Sequence, residues 1–79
     1  MNPQTFKRLM DKYALAKLKH DWSNYDAEDK NRALTGELME LAEAQALNDS
    51  GGEHGIFEEA LDVAVVALRI AEGERHAAS

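Results

Sequence analysis

Apolar residues recur at three- and four-residue steps through the first twenty positions, which is the spacing of one face of an α-helix. Pro3 suits the first turn of such a helix, with Asn2 as its N-cap. The pattern stops near His20, so the sequence predicts a first helix over residues 3–20. The residues that carry the pattern are Phe6, Leu9, Met10, Tyr13, Leu15, Ala16 and Leu18.

A second helix is predicted after a short connection, with Asp26 as its N-cap and acidic residues in its first turn. Leucines at positions 34, 38 and 41 repeat at three- and four-residue steps and form its apolar stripe. We expect this helix over residues 27–48, because the polar, glycine-rich segment that follows it marks the clearest break in the chain.

The third predicted helix covers residues 56–72, and residues 74–79 are expected to form a frayed tail. Its middle is apolar on nearly every side except at Asp62 and Arg69. A helix that is apolar all round is buried all round, which in a three-helix chain requires a second subunit. The sequence therefore predicts a single all-α domain (1–79), with a helical hairpin, that assembles into a dimeric or tetrameric bundle.

Two pairs of acidic residues lie within the second and third helices, Glu37 with Glu40 and Glu59 with Asp62. Each pair is spaced i, i+3, which places both carboxylates on one helix face with Cβ atoms about 5–6 Å apart. An antiparallel hairpin would aim all four into one space, where a hard cation such as Mg²⁺ would offset their repulsion. The alternative is a solvated helix face, which is common in acidic chains.

Composition narrows the choice of partners. The net charge of −6 argues against a nucleic-acid polymer or an anionic membrane as the main partner. The start does not resemble a signal peptide, and no apolar run approaches the roughly 20 residues of a membrane span, so we expect a cytoplasmic protein. The three histidines form no E-x-x-H pattern, which argues against a di-iron site. We expect them on the surface or at helix ends.

Around the four carboxylates the sequence resembles the MazG-like all-α nucleoside-triphosphate pyrophosphatases, the family that includes the dimeric dUTPases and the dCTP pyrophosphatases. The family motif is E-x-x-E, a spacer and E-x-x-D. Residues 36–43 (G-E-L-M-E-L-A-E) match its first half, and residues 58–63 (E-E-A-L-D-V) match its second. The segment that precedes the first half of the motif is similar to that of the dCTP-pyrophosphatase branch. The similar positions are Asp21, Trp22, Tyr25 and residues 31–34.

The resemblance implies hydrolysis of a nucleoside or deoxynucleoside triphosphate to the monophosphate and pyrophosphate, with Mg²⁺ or in its place Mn²⁺. It assigns the ion to Glu37, Glu40, Glu59 and Asp62, and the activation of the attacking water to one of these four, without specifying which. The rings of Trp22 and Tyr25 are candidates for stacking on the nucleobase, since aromatic faces serve this purpose in nucleotide sites. The alternative for Trp22 is that it covers the top of the core.

Members of this family usually continue past the third helix into a segment whose Lys, Asn and Arg residues bind the phosphates, and this sequence stops at Ser79. Either a neighbouring subunit or basic residues of the first helix are expected to substitute, namely Lys7, Arg8, Lys12, Lys17 and Lys19. The competing function is a helical module of the same fold that binds a nucleotide or a partner protein with weak or absent turnover.

Overall fold

The structure, a computed structural model, describes residues 1–78, with side chains described through Glu74. It contains three α-helices, α1 (Pro3–Lys19), α2 (Ala27–Ala46) and α3 (Ile56–Ala78). No strand occurs within these described residues. The predicted all-α class and the predicted first residue of each helix are confirmed.

The starts of α1 and α2 follow from their capping residues. The Oδ1 atom of Asn2 accepts a hydrogen bond from the backbone N–H of Gln4 at 2.8 Å. Asp26 and Asp29 form a reciprocal pair, in which each side chain accepts from the other's backbone N–H, at 2.9 Å and 3.2 Å. These bonds satisfy N–H groups that have no partner inside the helix.

The end of α2 lies two residues before its predicted end, in a turn built on Asn48. Asn48 has φ 52°, the left-handed conformation that asparagine tolerates better than most residues. The N–H of Asp49 donates to the carbonyl of Ala44 at 3.0 Å, as in a Schellman motif. The carbonyl of Asp49 then accepts from the N–H of Ile56 at 2.8 Å, which joins the loop to the start of α3.

The predicted end of α3 at residue 72 is wrong, because the helix continues to Ala78. The frayed tail over residues 74–79 stays a prediction. Gly73 lies inside the helix. A glycine in a helix interior costs only about 1 kcal/mol relative to alanine, and the Glu, Arg and Ala residues that follow Gly73 favour helix. Ser79 lies outside the described residues.

Within the described residues, α3 packs against both other helices, and α1 and α2 make no close backbone contact with each other. α2 and α3 form the predicted antiparallel hairpin: Glu40 approaches Glu59 near one end, and the Nζ atom of Lys30 lies beside Gly73 near the other. This arrangement leaves a cleft between α1 and α2, alongside α3.

α1 runs parallel to α3, and polar contacts hold the two helices in register. Arg8 pairs with Glu58 near the start of both helices. At the other end, Arg69 donates to the carbonyl oxygens of Ala16 and His20 at 3.4 Å and 2.6 Å. Arg69 thereby gives a donor to the carbonyl of His20, just past the last residue of α1, and a second donor to the carbonyl of Ala16, which already accepts from the N–H of His20.

The core is small. Among the residues whose side chains are described, the buried hydrophobic ones are Leu9 of α1, Ala44 of α2 and Leu61, Val65 and Val66 of α3. α3 supplies most of this core, as its apolar composition predicts. None of the described helices is long and apolar enough to cross a membrane.

Candidate active site

The cleft between α1 and α2 has a volume of about 530 Å³ and is lined by side chains from all three helices. Most of the residues to which the sequence assigned a part in the site lie on its wall, namely Glu37, Glu40, Glu59, Asp62, Arg8, Lys12, Lys19, Trp22 and Tyr25. Two of the basic candidates of α1, Lys7 and Lys17, do not line it. The carboxylates lie near the start of α3, whereas the aromatic rings lie near Arg69, about 15 Å further along this helix. The cleft is therefore long enough for an elongated ligand.

Three of the four predicted carboxylates come together. Glu37, Glu40 and Glu59 each contribute one oxygen atom, and these three oxygens lie within 4.8 Å of one another. The i, i+3 spacing aligns the first two on α2, and the antiparallel hairpin brings the third against them. Oxygens that bind one Mg²⁺ lie no more than about 4.2 Å apart, so small side-chain adjustments would let these three share an ion.

Glu59 is the most deeply buried of the three, with 2% of its surface exposed. Its Oε2 atom has no hydrogen-bond partner among the described residues, and neither has the buried Oε2 atom of Glu37. A buried carboxylate oxygen without a partner is costly, and a bound cation would supply that partner. The donor set, which consists of carboxylate oxygens, therefore fits a hard cation.

The electrostatics of the cluster agree with this assignment. Burial, together with the charges of Glu40 and Asp62, raises the pKa of Glu37 to about 7. Burial also raises the pKa of Glu59, although its hydrogen bond with His54 acts in the opposite direction. Glu59 is buried and Glu37 is half-buried, so neither carboxylate lies on a fully solvated helix face.

Asp62, the fourth predicted carboxylate, lines the cleft but has a different partner. Its Oδ1 atom lies 2.8 Å from the Nζ atom of Lys12, which is also 3.1 Å from Oε1 of Glu58. Arg8 pairs with Glu58 as well, and this hydrogen bond, with the one from Lys12, lowers the pKa of Glu58 to about 2. The structure thus divides the predicted quartet into a cluster of three and one carboxylate paired with α1.

His54, in the loop before α3, was missed as a site residue. Its side chain is 83% exposed, as expected for a surface histidine, yet its Nδ1 atom lies 3.2 Å from Oε1 of Glu59. This hydrogen bond raises the pKa of His54 and orients the buried carboxylate, as outer partners of metal ligands commonly do. The sequence places His54 just before the E-x-x-D motif. Residue spacing does not predict side-chain contacts from a glycine-rich loop, so its contact with Glu59 could not be predicted.

Trp22 and Tyr25 stack on each other, and Trp22 also packs against Arg69 of α3. The Trp22 and Tyr25 rings lie 5.3 Å apart between centroids, with 15° between their planes. The guanidinium carbon of Arg69 lies 4.1 Å from the centroid of Trp22, so Trp22 covers the arginine that caps α1. Tyr25 is 39% exposed and is the more open ring for a ligand.

Comparisons of the chain with protein-family models, with curated proteins and with solved structures found no match. The grounds for a functional assignment are therefore the residues of the cleft, in which clustered carboxylates, basic side chains and aromatic rings follow one another.

Proposed function

We propose that this protein is a Mg²⁺-dependent nucleoside-triphosphate pyrophosphohydrolase, which converts a nucleoside or deoxynucleoside triphosphate to the monophosphate and pyrophosphate. The observation that carries the proposal is the buried Glu59, whose unpartnered oxygen lies in one cluster with Glu37 and Glu40. The resemblance to the MazG-like family at the same carboxylates supports it. Mn²⁺ is a second candidate ion, because it also accepts carboxylate ligands.

The three clustered carboxylates would hold the ion. When bound, the ion would supply positive charge to the phosphate oxygens and make a bound water more acidic. The protein's own contribution is to position these carboxylates: α2 supplies two from one face, and the hydrogen bond from His54 fixes the orientation of Glu59. Water is the nucleophile in this reaction, and attack on the triphosphate releases pyrophosphate.

Basic residues of α1 support the binding of a phosphate chain in the same cleft. Arg8, Lys12 and Lys19 all line it. A protein with a net charge of −6 repels a triphosphate at long range, so these side chains and the ion together would offset that repulsion. At the far end, Tyr25 presents an open ring on which a nucleobase would stack, with about 1–3 kcal/mol of stabilisation.

The proposal includes self-association, as a homodimer or homotetramer through the apolar surface of α3, in the cytoplasm where nucleotide pools lie. Its support is that large apolar side chains remain exposed on a single chain. On α3 the example is Phe57, which is 46% exposed, and on α2 the examples are Leu38 and Met39, which are 46% and 68% exposed.

Metal binding is tested by thermal unfolding with Mg²⁺ and with EDTA. An ion present at 100 times its Kd stabilises the folded state by about 2.7 kcal/mol, so the Tm of the wild type should rise clearly in Mg²⁺. Glu59→Gln should abolish this response, whereas Glu43→Gln, at an exposed position of α2, should retain it. A wild-type Tm that is indifferent to both additions would refute the metal site.

Catalysis needs a separate measurement, the release of pyrophosphate from a panel of nucleotides. The wild type is expected to release it in Mg²⁺, and Glu40→Gln to lose about 10- to 100-fold or more of the rate, as when metal ligation is disturbed. Glu43→Gln is again the matched control. If Mg²⁺ stabilises the wild type but no nucleotide yields pyrophosphate, the competing function, a binding module without turnover, is favoured.

A further inference from the structure

We propose that Lys12 is a built-in cation that takes the place of a second metal ion. The cleft would then bind one divalent cation, through Glu37, Glu40 and Glu59, while Asp62 stays paired with the lysine. This inference rests on the proposed function and specifies the ligand set and the stoichiometry of its ion site.

The contacts of Lys12 distinguish it from an ordinary surface lysine. Its ammonium group lies between Asp62, at 2.8 Å, and Glu58, at 3.1 Å, and its side chain is only 14% exposed. Lys7, five residues earlier on α1, forms a pair with Asp11 at 3.2 Å, in which the two side chains are 79% and 57% exposed. Lys12 is therefore a fixed charge inside the cleft, whereas Lys7 is a solvated one.

The charge of Lys12 is maintained by its partners. Burial disfavours the ammonium form, but the hydrogen bonds to Asp62 and Glu58 outweigh this effect and raise the pKa of Lys12. The side chains of Lys12 and Glu58 are both largely removed from water. This is tolerable only because the carboxylate accepts hydrogen bonds from charged donors. A divalent ion that used Asp62 as a ligand would lie close to the ammonium group of Lys12, whose positive charge opposes its binding.

The division of the carboxylates explains why one ion suffices. In sites with two ions, the ions lie about 3.5–4 Å apart, and carboxylates around them must neutralise both. Here Glu37, Glu40 and Glu59 form one cluster, which includes the buried oxygens without partners. The remaining carboxylate of the motif is already neutralised by the lysine.

Lys12 also has capacity for a ligand. An ammonium group has three donors, and Asp62 and Glu58 account for two of them. The third donor is available to an oxygen of a phosphate group that enters the cleft. A fixed ammonium beside a single ion would in this way combine charge neutralisation with phosphate binding.

The number of bound ions tests the inference without reference to turnover. Mn²⁺ is titrated into the protein near neutral pH without nucleotide, and free Mn²⁺ is measured by electron paramagnetic resonance. The wild type is expected to bind one ion per chain. Lys12→Met should bind two, because Asp62 then loses its ion pair and Glu58 keeps only the one with Arg8, whereas the matched control Lys7→Met should still bind one.

A variant that keeps the net charge unchanged tests whether Asp62 is a ligand of the ion or only the ion-pair partner of Lys12. Lys12→Met/Asp62→Asn removes one charge of each sign, so the field at the ion changes little and the Kd for Mn²⁺ should stay within about threefold of wild type. If Asp62 were a ligand, the same variant would weaken binding by about 10-fold or more. Circular dichroism establishes that each variant is folded, and if Lys12→Met alone does not fold, the double variant decides.

The outcomes distinguish this inference from the proposed function. Two ions in the wild type, one ion in folded Lys12→Met, or a tenfold loss in the double variant would each overturn the role of Lys12. One ion in the wild type without pyrophosphate release from any nucleotide would overturn the hydrolase proposal alone. Absence of any bound ion in the wild type would overturn both.

Discussion

Two glutamates of the cleft illustrate how surroundings decide the charge of one residue type. Burial is the main reason that the pKa of Glu37 rises to about 7, and the neighbouring carboxylates add to it. Hydrogen bonds from Arg8, and then Lys12, lower the pKa of Glu58 to about 2, although burial opposes them. A pKa that differs between the folded and unfolded states makes stability depend on pH, so the two residues predict opposite trends.

We predict that the ion-free protein is most stable near the ordinary carboxyl pKa and loses stability on either side. Between pH 4.5 and about 7, Glu37 keeps its proton in the folded state and loses it when unfolded, so its contribution disappears as pH rises. His54, whose pKa is raised, acts in the same direction at higher pH. Glu58 acts in reverse, since its contribution is lost as pH falls from 4.5 to about 2.

The measurement is the free energy of unfolding in denaturant with EDTA, from about pH 3 to about pH 8. Glu37→Gln should flatten the loss on the alkaline side and leave the acidic side unchanged. Mg²⁺ should restore stability increasingly as pH rises, because ions bind the deprotonated carboxylates. A stability of the ion-free wild type that climbs steadily from pH 5 to pH 7 would contradict the raised pKa of Glu37.

At the scale of the elements, the helix starts and the hairpin of α2 and α3 could be predicted from the sequence, whereas the docking of α1 could not. The starts of α1 and α2 followed from Asn2 and Asp26, because a cap acts on N–H groups within three residues of itself. The cluster of three carboxylates followed from i, i+3 spacing plus one antiparallel hairpin. The pairing of Asp62 with Lys12 depends on α1 docking parallel to α3, which the periodicity of single helices does not specify.

The loop between α2 and α3 positions the buried member of the cluster. Gly55 is buried, and its carbonyl accepts a hydrogen bond from the N–H of Glu59 at 2.9 Å, which sets the first turn of α3. A Cβ atom on Gly55 would overlap the backbone of Gly51. The close approach of these two glycines therefore fixes where Glu59 enters the cleft.

Gly55→Ala is accordingly predicted to destabilise the protein by about 1–3 kcal/mol, the usual cost of overpacking. It should also weaken Mn²⁺ binding, since the backbone shift moves Glu59 relative to α2. Gly51→Ala is the matched control, because a Cβ atom there meets nothing within 4 Å. Urea unfolding and Mn²⁺ titration of both variants provide the measurements, and equal stability of the two would show that the loop does not fix the start of α3.

At the scale of the whole molecule, the single chain has a large surface for its mass. It exposes 5853 Å², whereas a compact monomer of 8.8 kDa exposes about 4,800 Å². The difference, about 1,000 Å², is comparable to the roughly 800 Å² that each partner buries in a standard protein interface. On α3, apolar residues at three- and four-residue steps remain exposed or only half-buried, namely Ala60, Val63, Ala67 and Ile70.

We therefore predict a homodimer or homotetramer at micromolar concentration, with this stripe of α3 in the interface. Ala67→Glu places a charge on a position that is exposed in the single chain, so it should leave the helices intact and yield monomers. Ala14→Glu, the same change at an exposed position of α1, should not alter the assembly. Sedimentation equilibrium measures the masses, and the wild-type Tm should rise with protein concentration, because association stabilises the folded chain by mass action. A wild type that sediments at 8.8 kDa would refute the interface, and the exposed stripe would then be a property of the monomer.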